Sequence, residues 1–337
     1  MSGGDRLRVV AWLVRDTFRQ SLESRVFWLM LGISALAILT CLSVGVQGAA
    51  SLHRPDERPD FLPRTATGTD RAKAPRDGVD IASGTLTLAF GAFQVPLHRD
   101  ARDAVHFIQL VLAAGAADTA GLLLALVWTA GFLPAFLAPG AVTVLLAKPV
   151  PRGLLLLGKV LGVVLFVAFQ GALFFLGTWG ALGLRTGVWD PSYLWGLPLL
   201  IVQFAVFYGA SALIAANRRR TVACLLGALL VWFLCWGMNY GRHAVVALPE
   251  LNREVAPVSP WLRGAVELGY WVLPKPADLS LILQHAIDAD RQFAAVPEFE
   301  TVVRLRRFHP VLSVASSLAA ACLLLLAAAR RFEATDY

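Results

Sequence analysis

Gly153-Leu154-Leu155-Leu156-Leu157-Gly158-Lys159 has the spacing GxxxxGK, the pattern with which a glycine-rich loop cradles nucleotide phosphates. That chemistry needs a flexible loop after a strand and a Ser or Thr after the lysine to hold magnesium. Here four leucines fill the interval, Val160 follows the lysine, and a long apolar stretch comes next. Nucleotide binding by this chain is rejected on those grounds. The other chemistry-bearing groups in apolar surroundings are Asp118, Gln170 and Gln203. A charge at the centre of a bilayer costs about 2.5–3.5 kcal/mol on insertion scales, so such residues often serve function. Asp118 is expected at the outer end of a span, where a helix-end carboxylate is the simpler account. Gln170 and Gln203 lie deeper and either bond between helices or line a path, with interhelix bonding the default. The six histidines (His53, His98, His106, His243, His285, His309) form no HxH, HxxxH or His/Cys cluster, so no metal site is expected. Cys41, Cys224, Cys235 and Cys322 all lie in apolar runs and read as small core residues. With no GxSxG, no HExxH and no paired carboxylates in a span, no catalytic residues are expected and the chain reads as no enzyme.

The elements that position these groups follow from composition. Of 337 residues, 57% are hydrophobic and 16% charged, against about 25% charged in an average soluble domain. That balance belongs to a polytopic membrane protein. The net charge of +7 is spread along the chain, so nucleic acid is not an expected partner. A hydrocarbon core of about 30 Å takes about 20 apolar helical residues, and six stretches qualify. They are Val26–Val46, Ala117–Phe136, Val160–Leu184, Leu194–Ala216, Val222–Met238 and Val311–Ala329. The second belongs to a longer apolar run from near Val105, whose upstream part is either a helix extension or an interfacial segment. The first is too long for a cleaved leader and reads as a retained span. The expected fold is therefore all-α, with six transmembrane helices.

Lysine and arginine set the orientation. With the N-terminus inside, the inner segments carry almost double the basic density of the outer ones, and Arg218-Arg219-Arg220 between spans four and five weighs most. Both termini are expected inside. Residues 1–25 form an amphipathic interface helix: Leu7, Val10, Ala11, Val14, Phe18 and Leu22 share one stripe and Arg8, Arg15, Asp16, Arg19 and Glu23 the other side. It serves either as an anchor for span one or as a coupling element. Residues 26–337 form the transmembrane domain, with two large outer loops at about 47–116 and 239–310. The first loop contains a weakly alternating stretch at 84–95 that fits a hairpin on the bilayer surface. The second contains an amphipathic helix around Asp278–Ile287, after the break Pro274-Lys275-Pro276. Trp28, Trp179, Trp189, Trp195 and Trp236 fall near boundaries, as an aromatic belt requires.

The connector between spans two and three is the most informative segment. Ala141–Ala147 is long enough for two helical turns that Pro149 stops, giving a short strut bearing Leu145 and Leu146. Lys148, Arg152 and Lys159 flank it near the headgroups. The combination Leu145-Leu146, Lys148-Pro149, Pro151-Arg152 and Gly158-Lys159 resembles the cytoplasmic connector after the second membrane helix in permease subunits of ABC transporters. The resemblance is to the bacterial type-2 exporter class, which includes permeases of nitrous-oxide-reductase copper maturation and of gliding motility. It is strongest over about 115–185, and the ending Arg330-Arg331-Phe332 with its acidic tail is also similar. Ala138-Pro139-Gly140-Ala141 departs from the glutamate often found before the strut.

The resemblance implies a subunit of a bacterial cytoplasmic membrane protein, paired with a second permease copy or paralogue in membrane lipid. It implies a separate ATPase subunit that carries the ATP and magnesium, leaving no cofactor on this chain. The ATPase-coupling residues are then Leu145, Leu146, Lys148, Pro149, Arg152 and Lys159. Arg218, Arg219 and Arg220 are a secondary inner contact, or a topology signal alone. A membrane anchor or assembly scaffold, holding a partner through the outer loops without transport, is the alternative. An ion-coupled carrier would show charges deep in its spans and internal symmetry, and neither is evident.

Overall fold

A computed structural model describes residues 3–47, 84–97, 101–138, 140, 150–251, 259–287 and 297–335. The chain opens with helix α1 (Gly3–Leu22), turns at Glu23 and Ser24, and enters α2 (Arg25–Ser43). A small antiparallel sheet follows, formed by β1 (Gly45–Gln47), β2 (Gly84–Leu88) and β3 (Phe93–Leu97) in that spatial order. Its β2–β3 pair, with Leu86 opposite Val95, is the hairpin that the alternation at 84–95 suggests. The second span is continuous from Arg102 to Phe136. It comprises α3 (Ala101–Leu110), a π-helical stretch Val111–Gly121, α4 (Leu122–Thr129) and α5 (Phe132–Phe136). Helix α6 (Arg152–Thr186) ends at Gly187, whose φ of 74° gives the left-handed cap that a side chain disfavours. After a short 3-10 turn come α7 (Gly196–Arg218) and α8 (Thr221–Leu251), then α9 (Pro260–Val272), α10 (Pro276–Ala286), α11 (Pro297–Arg304) and α12 (Pro310–Glu333).

Among the described residues six helices are long and apolar enough to cross a membrane, and each coincides with one expected span. Two depart most from the apolar pattern. The second starts at Arg102 instead of Ala117, so the run upstream of the expected span is a helix extension. The fifth continues past Met238 to Leu251, through Asn239, Arg242 and His243. Hydropathy stops at those polar residues. The helix does not, because each finds a polar partner on a neighbouring element.

Helix α7 is the most enclosed span and packs against α12, α8 and α6. Lipid is as apolar as leucine, so these contacts are driven by close packing and hydrogen bonds more than by water exclusion. An aromatic knot shows the packing: Phe166 of α6 lies 5.0 Å from Trp128, 5.2 Å from Phe27 and 4.8 Å from Phe18, centroid to centroid. Such pairs contribute about 0.5–1.5 kcal/mol each. The knot joins α1, α2, the second span and α6. Trp128 also donates its indole N–H to Ser24 Oγ at 3.0 Å, tying the second span to the α1–α2 turn. Helix α1, the start of α6 and the end of α12 share one end of the bundle, here the terminal end.

Candidate functional site

At the terminal end, α1 rests on the bundle through only part of its expected apolar stripe, Val14 and Phe18. Leu7, Ala11 and Leu22 of that stripe are exposed, whereas Leu13, Thr17 and Ser21 are buried. The reason lies in α6. A Cβ on Gly158 would come within 2.6 Å of Leu13 Cδ1, and one on Gly162 within 2.7 Å of Thr17 Oγ1 and 3.3 Å of the Val14 Cα. The two glycines form a groove that takes the small, partly polar face of α1, leaving leucines outward on the side where lipid would lie. A second pair, Gly237 and Gly241, meets nothing within 4 Å among the described residues.

Lys159, one turn along from Leu155, is 2% exposed. Its ammonium donates to Asp16 Oδ2 at 3.1 Å and Gln20 Oε1 at 2.8 Å, both on α1. Arg152, at the first turn of α6, donates through Nη1 to the Thr335 carbonyl at 2.7 Å. The Gly153 N–H donates to Glu333 Oε1 at 3.1 Å, so a carboxylate of the C-terminal helix caps α6. The GxxxxGK pattern thus lies inside a helix whose backbone groups are already engaged. Arg218 and Arg220 are exposed at the α7–α8 turn, where Arg219 adopts a φ of 49°. Arg331 of α12 donates to Asn217 beside them at 2.8 Å. Leu145, Leu146, Lys148 and Pro149 lie outside the described residues.

Within the spans, Asp118 is half-buried in the π-helical stretch, well inside a helix that began at Arg102. Gln170 is buried and donates to Ser34 Oγ of α2 at 3.1 Å. Gln203 is buried, with its Oε1 unpartnered.

The other end holds a polar cluster with no local signature in the sequence. Asp278 and His243 are both fully buried and 2.7 Å apart. His243 donates from Nε2 to Asp278 Oδ1, because an ionised carboxylate only accepts. Asn239 Nδ2 donates to the same oxygen at 2.9 Å, and the Asp278 N–H donates back to Asn239 Oδ1 at 2.9 Å. Tyr270 donates to Oδ2 at 2.6 Å, and the Ser313 hydroxyl donates to it as well. One carboxylate therefore holds α8, α9, α10 and α12 together. Burial alone would raise its pKa, but the bonds from His243, Ser313 and Tyr270 outweigh that and hold the carboxyl below the usual range. Arg242 bonds Glu267 Oε2 at 3.3 Å and the Arg307 carbonyl at 3.1 Å, with its guanidinium 4.5 Å from the Tyr270 ring. Lys275, also fully buried, donates to Ser316 Oγ at 2.7 Å. The expected amphipathic helix after Pro274 spans Pro276–Ala286, and much of it is buried. Among the described residues no three His, Cys, Asp or Glu side chains come together as a metal-binding set.

Residues 11–337 match the family model described as ABC-2 family transporter protein. The chain belongs to that family. No curated protein matches it. Membership makes the chain a multi-pass membrane permease, the transport component of an ABC transporter that has no ATPase of its own and associates with an ABC ATPase subunit. For such a permease, the terminal-end assembly of α1, α6 and α12 is the site of interest, since α6 is the helix that follows the connector 141–149 in the chain. Lys159 faces α1 within the permease, and Arg152 is bonded to the C-terminal tail. The pairing of Lys159 with α1 needs Asp16 and Gln20 on a particular face, which the alternation of apolar residues in α1 does not disclose.

Proposed function

We propose that this permease moves its cargo outward across a bacterial cytoplasmic membrane as half of a dimer, each half driven by a separate ATPase that binds ATP and magnesium. The terminal end of the bundle is the cytoplasmic one, so both termini and Arg218–Arg220 face the ATPase. The strut at 141–152 is the primary contact: Leu145 and Leu146 enter a groove on the ATPase, with Lys148, Pro149 and Arg152 beside them. Closure of the ATPase pair on ATP pushes the strut, and the packed helices shift as rigid bodies between two arrangements.

The observation that carries this reading is the pinning of the first two turns of α6. Immediately after the strut, α6 is bonded to the C-terminal tail through Arg152 and Gly153 and to α1 through Lys159. A displacement of the strut is thereby handed to α1 and, across Glu23 and Ser24, to α2, while α12 follows through its tail. Asp118, Gln170 and Gln203 are the polar groups available to a path through the spans.

The test is co-purification of the permease with a soluble ATPase whose hydrolysis responds to it. Leu145→Asp with Leu146→Asp is expected to abolish that response while the protein still inserts in the membrane. Unchanged hydrolysis in the double variant, at equal membrane levels, refutes the strut assignment.

A further inference from the structure

A cavity of about 150 Å³ lies between α2, the second span, α6 and α7. Ser34, in the middle of α2, and Gln170, in the middle of α6, both line it, so it sits near mid-depth of the spans. Met30, Ala37, Trp128, Phe174 and Phe204 make most of the remaining wall apolar. One side is the π-helical stretch, where Ala116, Ala117 and Ala120 present only methyl groups. A π-helix interrupts regular packing and recurs at functional sites. The cavity is partly open, and Ile33 and Ala120 at its margin are exposed, so the mouth opens between α2 and the second span.

One residue of the lining, Gln170, also carries an unmet hydrogen-bonding demand. Gln170 is 4% exposed and its Nε2 is used on Ser34, but its Oε1 has no partner. The Trp128 N–H, also on the lining, is directed to Ser24. A buried carbonyl without a donor calls for an explanation, usually something missing from its side. Water is a poor answer, because a buried water needs about two to four polar partners and this lining offers only the amide and the Ser34 hydroxyl. Cavities of about this volume with apolar walls stay dry and admit benzene-sized molecules.

We propose that this cavity binds a bilayer-dissolved amphiphile, an alkyl or single-ring body bearing one hydroxyl, whose O–H donates to Gln170 Oε1. Small side chains at 116, 117 and 120 make room for the body, and the mouth between α2 and the second span admits it without passage through water. The inference requires only that the spans cross a bilayer and does not rest on the direction of transport or on the strut.

The test uses the full permease in lipid nanodiscs, titrated with 6-bromohexan-1-ol and, separately, 1-bromohexane. Bromine quenches tryptophan on contact, and Trp128 is in the cavity wall. Wild type is expected to show a saturable quenching component that Trp128→Phe removes. Ala37→Leu and Ala120→Leu, which fill the cavity from opposite walls, are expected to abolish it while non-saturating quenching of the other tryptophans persists as a check on folding. The alcohol is expected to bind about tenfold more tightly than the bromoalkane, and Gln170→Leu to erase that preference. Quenching that rises linearly and equally in wild type and filled variants overturns the site. Saturable quenching without preference for the hydroxyl, or a preference that survives Gln170→Leu, overturns the role of the amide.

Discussion

Lys159 Nζ lies 3.1 Å from Asp16 Oδ2, yet the two partners differ sharply in exposure: the lysine side chain is 2% exposed and the aspartate 48%. The asymmetry predicts unequal costs. Lys159→Met removes the buried charge and leaves Asp16 free to face solvent, so the loss of stability is expected to be at most about 1 kcal/mol, the scale of an exposed pair. Asp16→Ala leaves the ammonium buried with Gln20 alone, and is expected to cost about 3 kcal/mol. Thermal unfolding of the two purified variants in detergent checks the order. If the pin transmits motion, Lys159→Met nevertheless lowers ATPase coupling more than its small stability loss would suggest.

Gly162 and Gly158 are expected to differ as well. A methyl group at 162 meets the β-branched Thr17 and the backbone of Val14, neither of which yields easily. At 158 it meets the far end of the Leu13 side chain, which turns aside. Gly162→Ala is therefore expected to displace α1 at about 1–3 kcal/mol, in the range of overpacking, and Gly158→Ala at less. Disulfide trapping between cysteines introduced on α1 and α6 reports the displacement: its yield falls for Gly162→Ala and holds for Gly158→Ala.

At the other end of the bundle, the value of Asp278 exceeds that of any one donor to it. Asp278→Ala leaves His243, Asn239, Tyr270 and Ser313 without their common acceptor, and is expected to cost about 3–5 kcal/mol. Ser313→Ala removes a single bond and is expected to cost about 1 kcal/mol. Protease sensitivity of the segment 259–287 in detergent distinguishes them, with rapid cleavage expected only for the aspartate variant.

These two sites were unequally legible in the sequence. The six spans could be read because twenty apolar residues are a length that hydrocarbon imposes, and the sheet pair and α10 because alternation and the Pro274-Lys275-Pro276 break are local signals. The reach upstream of Ala117 was open between a helix extension and an interfacial segment, and the reach to Leu251 could not be read, since Asn239, Arg242 and His243 are satisfied by elements far away in the chain. Asn239, His243, Tyr270, Asp278 and Ser313 meet only after α8, α9, α10 and α12 have packed, and no spacing among them announces it. The stripe of α1 does not by itself say which face packs on the bundle. In a membrane both lipid and protein accept leucine, so the face that packs is chosen by the glycines of α6 and by Asp16 beside Lys159. His243 is buried by that packing, with its Nδ1 unpartnered.

The cluster also dictates how this end responds to acid. Asp278 titrates below its usual 3.8 despite the opposing effect of burial, and Glu267 titrates below its usual 4.5, where Arg242 outweighs burial. A carboxyl whose folded pKa is depressed binds fewer protons folded than unfolded. Its stabilisation is complete above the unfolded value and disappears as pH falls through the folded one. Between these two groups, the contribution is intact above about pH 4.5 and is lost below the ordinary aspartate value. Burial lowers the Lys275 ammonium from its usual 10.5. Hydrogen exchange in segment 259–287, corrected for intrinsic rate, is therefore expected to be flat from neutrality to about pH 5 and to accelerate below pH 4. In Asp278→Asn the same segment exchanges faster at neutrality, and its acid acceleration is reduced to what Glu267 supplies. An acid limb of full size in that variant refutes the assignment to Asp278.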